Sequence, residues 1–187
     1  MAWTTPATFT TGNVLTAAQM NTNVRDNSNF LHSPPGCLAI RSTAQSISNN
    51  VLTAVSFTGT DVYDTDSMHD PVGAPTVLSL NTVGVYLVTA SVQFAANATG
   101  ARWMAVTNSA AGGTEIAGAK DSGPTSGINS ILSASAVVLA TPIGSQFGVS
   151  VQQTSGGSLS ITNASTTTLT GNTPVIQLGA QWISDGT

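Results

Sequence analysis

The sequence predicts an all-β domain, an antiparallel sandwich or jelly roll, preceded by an N-terminal arm and one short helix. Three observations carry this expectation. Apolar and polar residues alternate over short runs from Cys37 onward, clusters of Gly, Asn and Ser separate those runs, and the one convincing helical spacing lies before Pro34. At 187 residues the chain suits one domain with enough length for a real core. The expected division is residues 1–35 for the arm and helix and 36–187 for the β domain.

The arm, with Trp3, Thr4, Thr5, Thr8 and Phe9, is threonine-rich and lies outside any element. An aromatic side chain there is exposed unless it docks, so Trp3 is expected to anchor the arm to a neighbouring protein. The helix follows. Thr16 and Gln19 form a capping-box pair, with Leu15 and Met20 at the staple positions. Ala17, Met20, Val24, Asn27 and Leu31 then recur at gaps of three, four, three and four, the spacing of a coiled-coil seam with one polar core position. Pro34 and Pro35 end it. Asn21, Thr22, Asn23, Asp26, Asn27, Ser28 and Asn29 are poor helix formers, so this helix needs partners to fold. Two readings stay open: a stripe packed on its own domain, or a helix packed on identical copies or a larger assembly.

Strands are expected at 37–41, 51–57, 76–80, 85–94, 101–107, 114–119, 128–140, 146–153, 158–162 and 174–183. The clearest is Val85 to Phe94, where Tyr86, Val88, Ala90, Val92 and Phe94 share a face, opposite the more polar Thr89, Ser91 and Gln93. Between Ile128 and Ala140 both faces carry apolar residues: Leu132, Ala134, Ala136 and Val138 on one, Ile131, Val137 and Leu139 on the other. The second face therefore calls for a cover, supplied by a neighbouring subunit or by an inserted loop. At the C-terminal end Val175, Gln177, Gly179 and Gln181 stand opposite Ile176, Leu178, Ala180 and Trp182. Short strands at this spacing, joined by Gly- and Asn-bearing turns, indicate a sandwich or jelly roll.

Only 6% of residues are charged, against about 25% in ordinary proteins. Four basic residues stand against eight acidic ones, so no basic patch exists to neutralise phosphates, and nucleic-acid binding is not expected. The opening residues lack the charged start and apolar run of a secretory signal, and no stretch approaches the roughly 18 apolar residues of a membrane span. A soluble protein with no membrane partner is expected. Cys37, the single cysteine, has no intramolecular partner and is expected to be a small buried hydrophobe.

Asp61, Asp64, Asp66 and Asp70 place four of the eight acidic residues within ten positions. Calcium takes about 6–8 oxygen ligands, but this spacing is not that of an EF-hand loop. A solvated acidic loop is the plainer reading, and no metal or other cofactor is assigned. His32 and His69 are the only histidines, no Gly-x-Ser-x-Gly elbow occurs, and an isolated His near a turn is usually a surface residue. An enzyme is not expected.

The succession from Gly84-Val85-Tyr86-Leu87-Val88 to Phe94, then Arg102-Trp103-Met104-Ala105-Val106, Ser133 to Leu139, Gly144-Ser145-Gln146-Phe147-Gly148-Val149 and Leu178-Gly179-Ala180 resembles the C1q and tumour-necrosis-factor type jelly roll. The resemblance covers about Thr76 to Ile183, with Ser145 where that family carries Asp. It implies a homotrimer, with Tyr86, Phe94, Trp103, Phe147 and Trp182 assigned to the subunit interface. The opening segment, from Trp3-Thr4-Thr5-Pro6 through Gly12-Asn13-Val14-Leu15-Thr16-Ala17-Ala18-Gln19-Met20-Asn21 to Val24-Arg25-Asp26-Asn27, is similar to a leader at the start of many tailed-bacteriophage structural proteins. That similarity implies a virion protein, assembled in the bacterial host cytoplasm, with Trp3, Phe9, Leu15, Met20, Val24 and Leu31 as attachment residues. A capsid decoration protein bound to the major capsid protein or another virion protein is the first expectation. A receptor-binding tail fibre tip or spike is the alternative, its ligand site in the loops around Asp61 to Pro75 or Ser109 to Gly113.

Overall fold

The computed structural model describes residues 3–110, 112–123, 128–163 and 176–186. The helix occupies its expected place but is not uniform. A short α1 (Ala17–Met20) runs into a π-helical stretch at Asn21–Asp26 and then into α2 (Asn27–His32). Thr16 Oγ1 accepts from the Gln19 backbone N–H at 3.2 Å while Gln19 Oε1 accepts from the Thr16 N–H at 2.9 Å, so the capping box forms.

Thirteen strands come next in the described residues. In chain order they are β1 (Gly36–Ile40), β2 (Gln45–Ile47), β3 (Thr53–Ala54), β4 (Tyr63–Asp64), β5 (His69–Asp70) and β6 (Ala74–Leu80). The second half holds β7 (Gly84–Phe94), β8 (Arg102–Thr107), β9 (Glu115–Asp121), β10 (Ser130–Ala140), β11 (Ser145–Gln153), β12 (Leu159–Ile161) and β13 (Gln177–Ser184). They make two antiparallel sheets. The first has the order β2-β12-β7-β13-β1-β4 with β10 along the other side of β7, and the second the order β5-β6-β11-β8-β9 with β3 on β11. This is the expected jelly-roll sandwich. Most strands lie where the alternation put them, with three exceptions. The run 51–57 contributes only the two residues of β3, the acidic stretch holds the short β4 and β5, and β2 carried too little pattern to be read. Pro174 and Val175 of the C-terminal strand lie outside the described residues.

Period-two alternation decides what is buried. On β7 the side chains of Tyr86, Val88, Val92 and Phe94 are fully buried, and across the sandwich they join Leu78, Leu80, Met104, Val149 and Val151 in one core. Tyr86, Phe94 and Phe147, expected between subunits, thus fill the protomer's own core and have no surface left for an interface. Their alternation register points them inward. Gln93, on the expected polar face, is buried as well.

Arg102 is the largest fully buried side chain. Its guanidinium donates to the carbonyls of Asn97, Thr99 and Ala101 at 2.8, 2.9 and 3.2 Å, fixing the loop that leads into β8. Burial pulls its pKa below the ordinary value, with Asp121 on the neighbouring strand acting in the opposite direction. Among the described residues no helix is long and apolar enough to cross a membrane.

Candidate functional site

Two surfaces and one loop carry the residues singled out by the sequence. The first surface is the arm with its helix. Asn27 and Asn23, one helical turn apart, clip the arm alongside: Asn27 accepts from the Thr4 N–H at 3.1 Å and donates to the Thr4 carbonyl at 2.7 Å, and Asn23 accepts from the Ala7 N–H at 2.7 Å. Trp3 reaches Phe30 with ring centroids 6.1 Å apart, and Phe30 in turn meets Trp182 edge-on at 4.8 Å. Trp3 therefore docks on its own chain. The aromatic contact it needed was available from Phe30, which the seam spacing had left out.

That spacing is broken by the π-helical stretch, which adds residues per turn and rotates the later residues about the helix axis. Asn27 and Phe30 face inward as a result, at 4% and 2% exposure, whereas Leu31 is 62% exposed. The continuous seam of Ala17, Met20, Val24, Asn27 and Leu31 does not form. The helix instead packs one end on its own domain and leaves apolar side chains outside. Phe9, Leu15, Met20, Val24 and Leu31 each keep 42–62% of their surface exposed, with Val14 at 90%.

The second surface is the outer face of the first sheet. Register places Ile131, Ser133, Ser135, Val137 and Leu139 of β10 beside Gln93, Ser91, Thr89, Leu87 and Val85 of β7, and β13 lies on the other flank of β7. Leu132 is buried beneath, while Ile131, Val137 and Leu139 are 56–66% exposed and Leu87 and Ile183 extend the patch. The cover expected over this face is supplied by no described segment. Trp182, assigned to the interface, spends an edge on Phe30 and donates from Nε1 to the Val83 carbonyl at 3.4 Å. Trp103 lies on the other sheet, half-buried beside Lys120.

The acidic loop is an ordered set of turns. Asp64 accepts from the backbone N–H groups of Asp66, Met68 and His69 at 3.0–3.1 Å. Asp66 accepts from Thr82 Oγ1 at 2.9 Å. Asp70 accepts from the Val72 and Gly73 N–H groups, which hold its carboxyl below the usual range. Asp61 Oδ1 lies 2.8 Å from Nδ1 of His69, whose ring is fully enclosed, so His69 is not the surface histidine its setting suggested. Among the described residues a close grouping of possible metal ligands joins Asp61 and Asp64 to the Cys37 thiol. Burial, and then the two carboxylates, push that thiol up, so it stays protonated. Asp64 is committed to backbone donors and Asp61 to the His69 ring.

No protein-family model matches the sequence, and no curated protein matches it. Among solved structures, murine APRIL superposes with a TM-score of 0.55 at 16% identity, covering 80% of this chain and 98% of that one. An Eiger TNF from S. frugiperda gives 0.51 at 13% identity, with 82% and 96% covered. The globular domain of zebrafish complement 1qA protein aligns over 80% of this chain and 97% of its own at 10% identity, with a TM-score of 0.48. At these identities the likeness is one of fold: the chain has a jelly roll of the tumour-necrosis-factor type.

Proposed function

We propose that the protein is a non-enzymatic structural component of a tailed-bacteriophage virion: a homotrimeric decoration protein that binds the head surface and stabilises it, held there by residues 1–35. The observation that carries the reading is the contrast within the leader-like segment. Trp3, Asn23 and Asn27 fold the arm onto the helix and Phe30 joins the helix to Trp182 of the β domain, while Phe9, Val14, Leu15, Met20, Val24 and Leu31 stay outside. A segment that is both prefolded and apolar on its surface suits docking, because little ordering entropy is left to lose on binding.

The uncovered face of β7, β10 and β13 is the proposed contact between copies. Eleven residues of β10 span about 36 Å and three strands about 14 Å, so the face measures on the order of 500 Å² before side-chain relief is counted. A face of that size supplies more than half of the roughly 800 Å² that each partner gives to a stable interface, and side-chain relief adds to it. The partner of the first choice is a second copy, because among the described residues β10 pairs in a sheet only with β7 and carries the exposed Ile131, Val137 and Leu139.

Sedimentation of the full chain tests self-association. A trimer is expected, with Val137→Glu and Leu139→Glu together returning the 18.8 kDa monomer; a wild-type monomer at micromolar concentration refutes it. Deleting residues 1–31 is expected to leave the assembly folded and to abolish incorporation into particles. Particles that still carry the truncated chain overturn the attachment role. A tail fibre tip is favoured by one observation, a groove between β8, β9 and β11 lined by Trp103, Glu115 and Lys120, and copy number separates the two: hundreds per virion for decoration, a handful for a tip.

A further inference from the structure

On the face of the second sheet that points away from the core, β8, β9 and β11 leave a groove of about 340 Å³. Its floor is built from small residues set side by side by register, Ser150 opposite Ala105 and Ala105 opposite Gly118. At one end Trp103 and Lys120 are paired across β8 and β9, with the ammonium 5.0 Å from the indole centroid. Glu115 folds back over Gly118, where a Cβ would stand 2.3 Å from Glu115 Oε1. Glycine at 118 thus makes room for that carboxylate. In the floor the Ser150 hydroxyl is buried and makes no hydrogen bond. Buried hydroxyls rarely go without a partner.

We propose that this groove binds a neutral pyranose ring, such as an exposed sugar of a surface glycan. One ammonium and one carboxylate balance each other, so a phosphate, a sulfated sugar or a cationic ligand gains no net attraction. The groove then offers a carboxylate acceptor and an ammonium donor beside the indole of Trp103. A ring with several hydroxyls and an apolar C–H face matches all three, and the volume lies at the small end of ligand sites, roughly 300–1,000 Å³. The groove is on the opposite side of the sandwich from the face of β7, β10 and β13. The face proposed for contact between copies is therefore separate from it.

Saturation-transfer NMR on the full chain, with the methyl pyranosides of glucose, galactose, mannose and N-acetylglucosamine as probes, tests this. Millimolar affinity is expected for a ligand of about a dozen non-hydrogen atoms, so probes at about 10 mM suffice. At least one is expected to receive saturation, with loss of the signal in Trp103→Ala and in Glu115→Gln and no loss in Ile131→Ser on the other sheet. Glu115 is exposed, so its variant reports on the groove even if Trp103→Ala does not fold. No transfer to any of the four, or transfer that persists in Glu115→Gln, overturns the proposal.

Discussion

Replacing Phe30 by alanine is expected to free the arm and helix while leaving the jelly roll folded. Phe30 keeps 2% of its surface, so on the order of 200 Å² of ring surface is withheld from water, about 5 kcal/mol at about 25 cal/mol per Å² and about 3–4 kcal/mol after allowance for a compact unfolded chain. Its edge-on contact with Trp182 and its tilted contact with Trp3 add about 1 kcal/mol each. The opposing quantity is intrinsic. Asn21, Thr22, Asn23, Asp26, Asn27, Ser28 and Asn29 are each about 0.5–0.7 kcal/mol worse than alanine in a helix, together about 4 kcal/mol. The ring's contacts exceed that cost by only about 1–2 kcal/mol, so the ring is what keeps the segment folded. Hydrogen exchange read by mass spectrometry is the assay: amides of 17–32 in Phe30→Ala are expected to exchange as in a peptide, with those of β7 and β11 still protected. Helix amides as protected as in the wild type refute the reasoning.

Three further outcomes concern the core. Arg102→Met leaves the carbonyls of Asn97, Thr99 and Ala101 without their donor, and urea unfolding is expected to show a loss of about 2–4 kcal/mol; a change below about 0.5 kcal/mol counts against the loop-fixing role. Gly100→Ala adds a methyl 1.9 Å from the Thr154 carbonyl oxygen at a residue with φ +73°, and is expected to cost about 3 kcal/mol or more by the same measurement. Alkali should weaken the fold. Burial raises the pKa of both the Cys37 thiol and the Tyr86 phenol, so the unfolded chain releases these protons near 9.0 and 10.0 while the folded chain keeps them. Their contribution is intact below pH about 9 and is lost as pH rises beyond it. Melting temperature followed against pH is expected to fall above 9, with Cys37→Ala flattening the first part of the decline; an unchanged slope in that variant refutes the assignment.

The β domain was legible because its strands are half-buried and alternation reports burial directly. Val85 to Phe94 is the clearest case, and the two-sided apolar pattern of Ile131 to Leu139 marked a face that needs a cover. Short strands were not legible. β4 and β5 have two residues each, and their order comes from Asp64 and Asp70 binding backbone N–H groups, a tertiary arrangement that leaves only a cluster of aspartates in the sequence. The groove of Trp103, Glu115 and Lys120 was invisible for a related reason. Its parts come from separate strands, and only their register sets them together.

The helix shows where spacing misleads. Gaps of three and four describe a seam only if every turn holds about 3.6 residues, and the π-helical stretch at Asn21–Asp26 breaks that condition. Once it does, the asparagines that looked like a propensity defect acquire a use. An alanine at 23 or 27 would favour the helix but has no amide to hold the arm, and Asn27 alone satisfies both the N–H and the carbonyl of Thr4. Poor helix formers at these positions thus trade intrinsic stability for a contact that only the folded segment offers. The segment is then stable when the arm, the helix and Trp182 are present together, and it is already shaped before any docking, with Leu15, Met20 and Val24 turned outward.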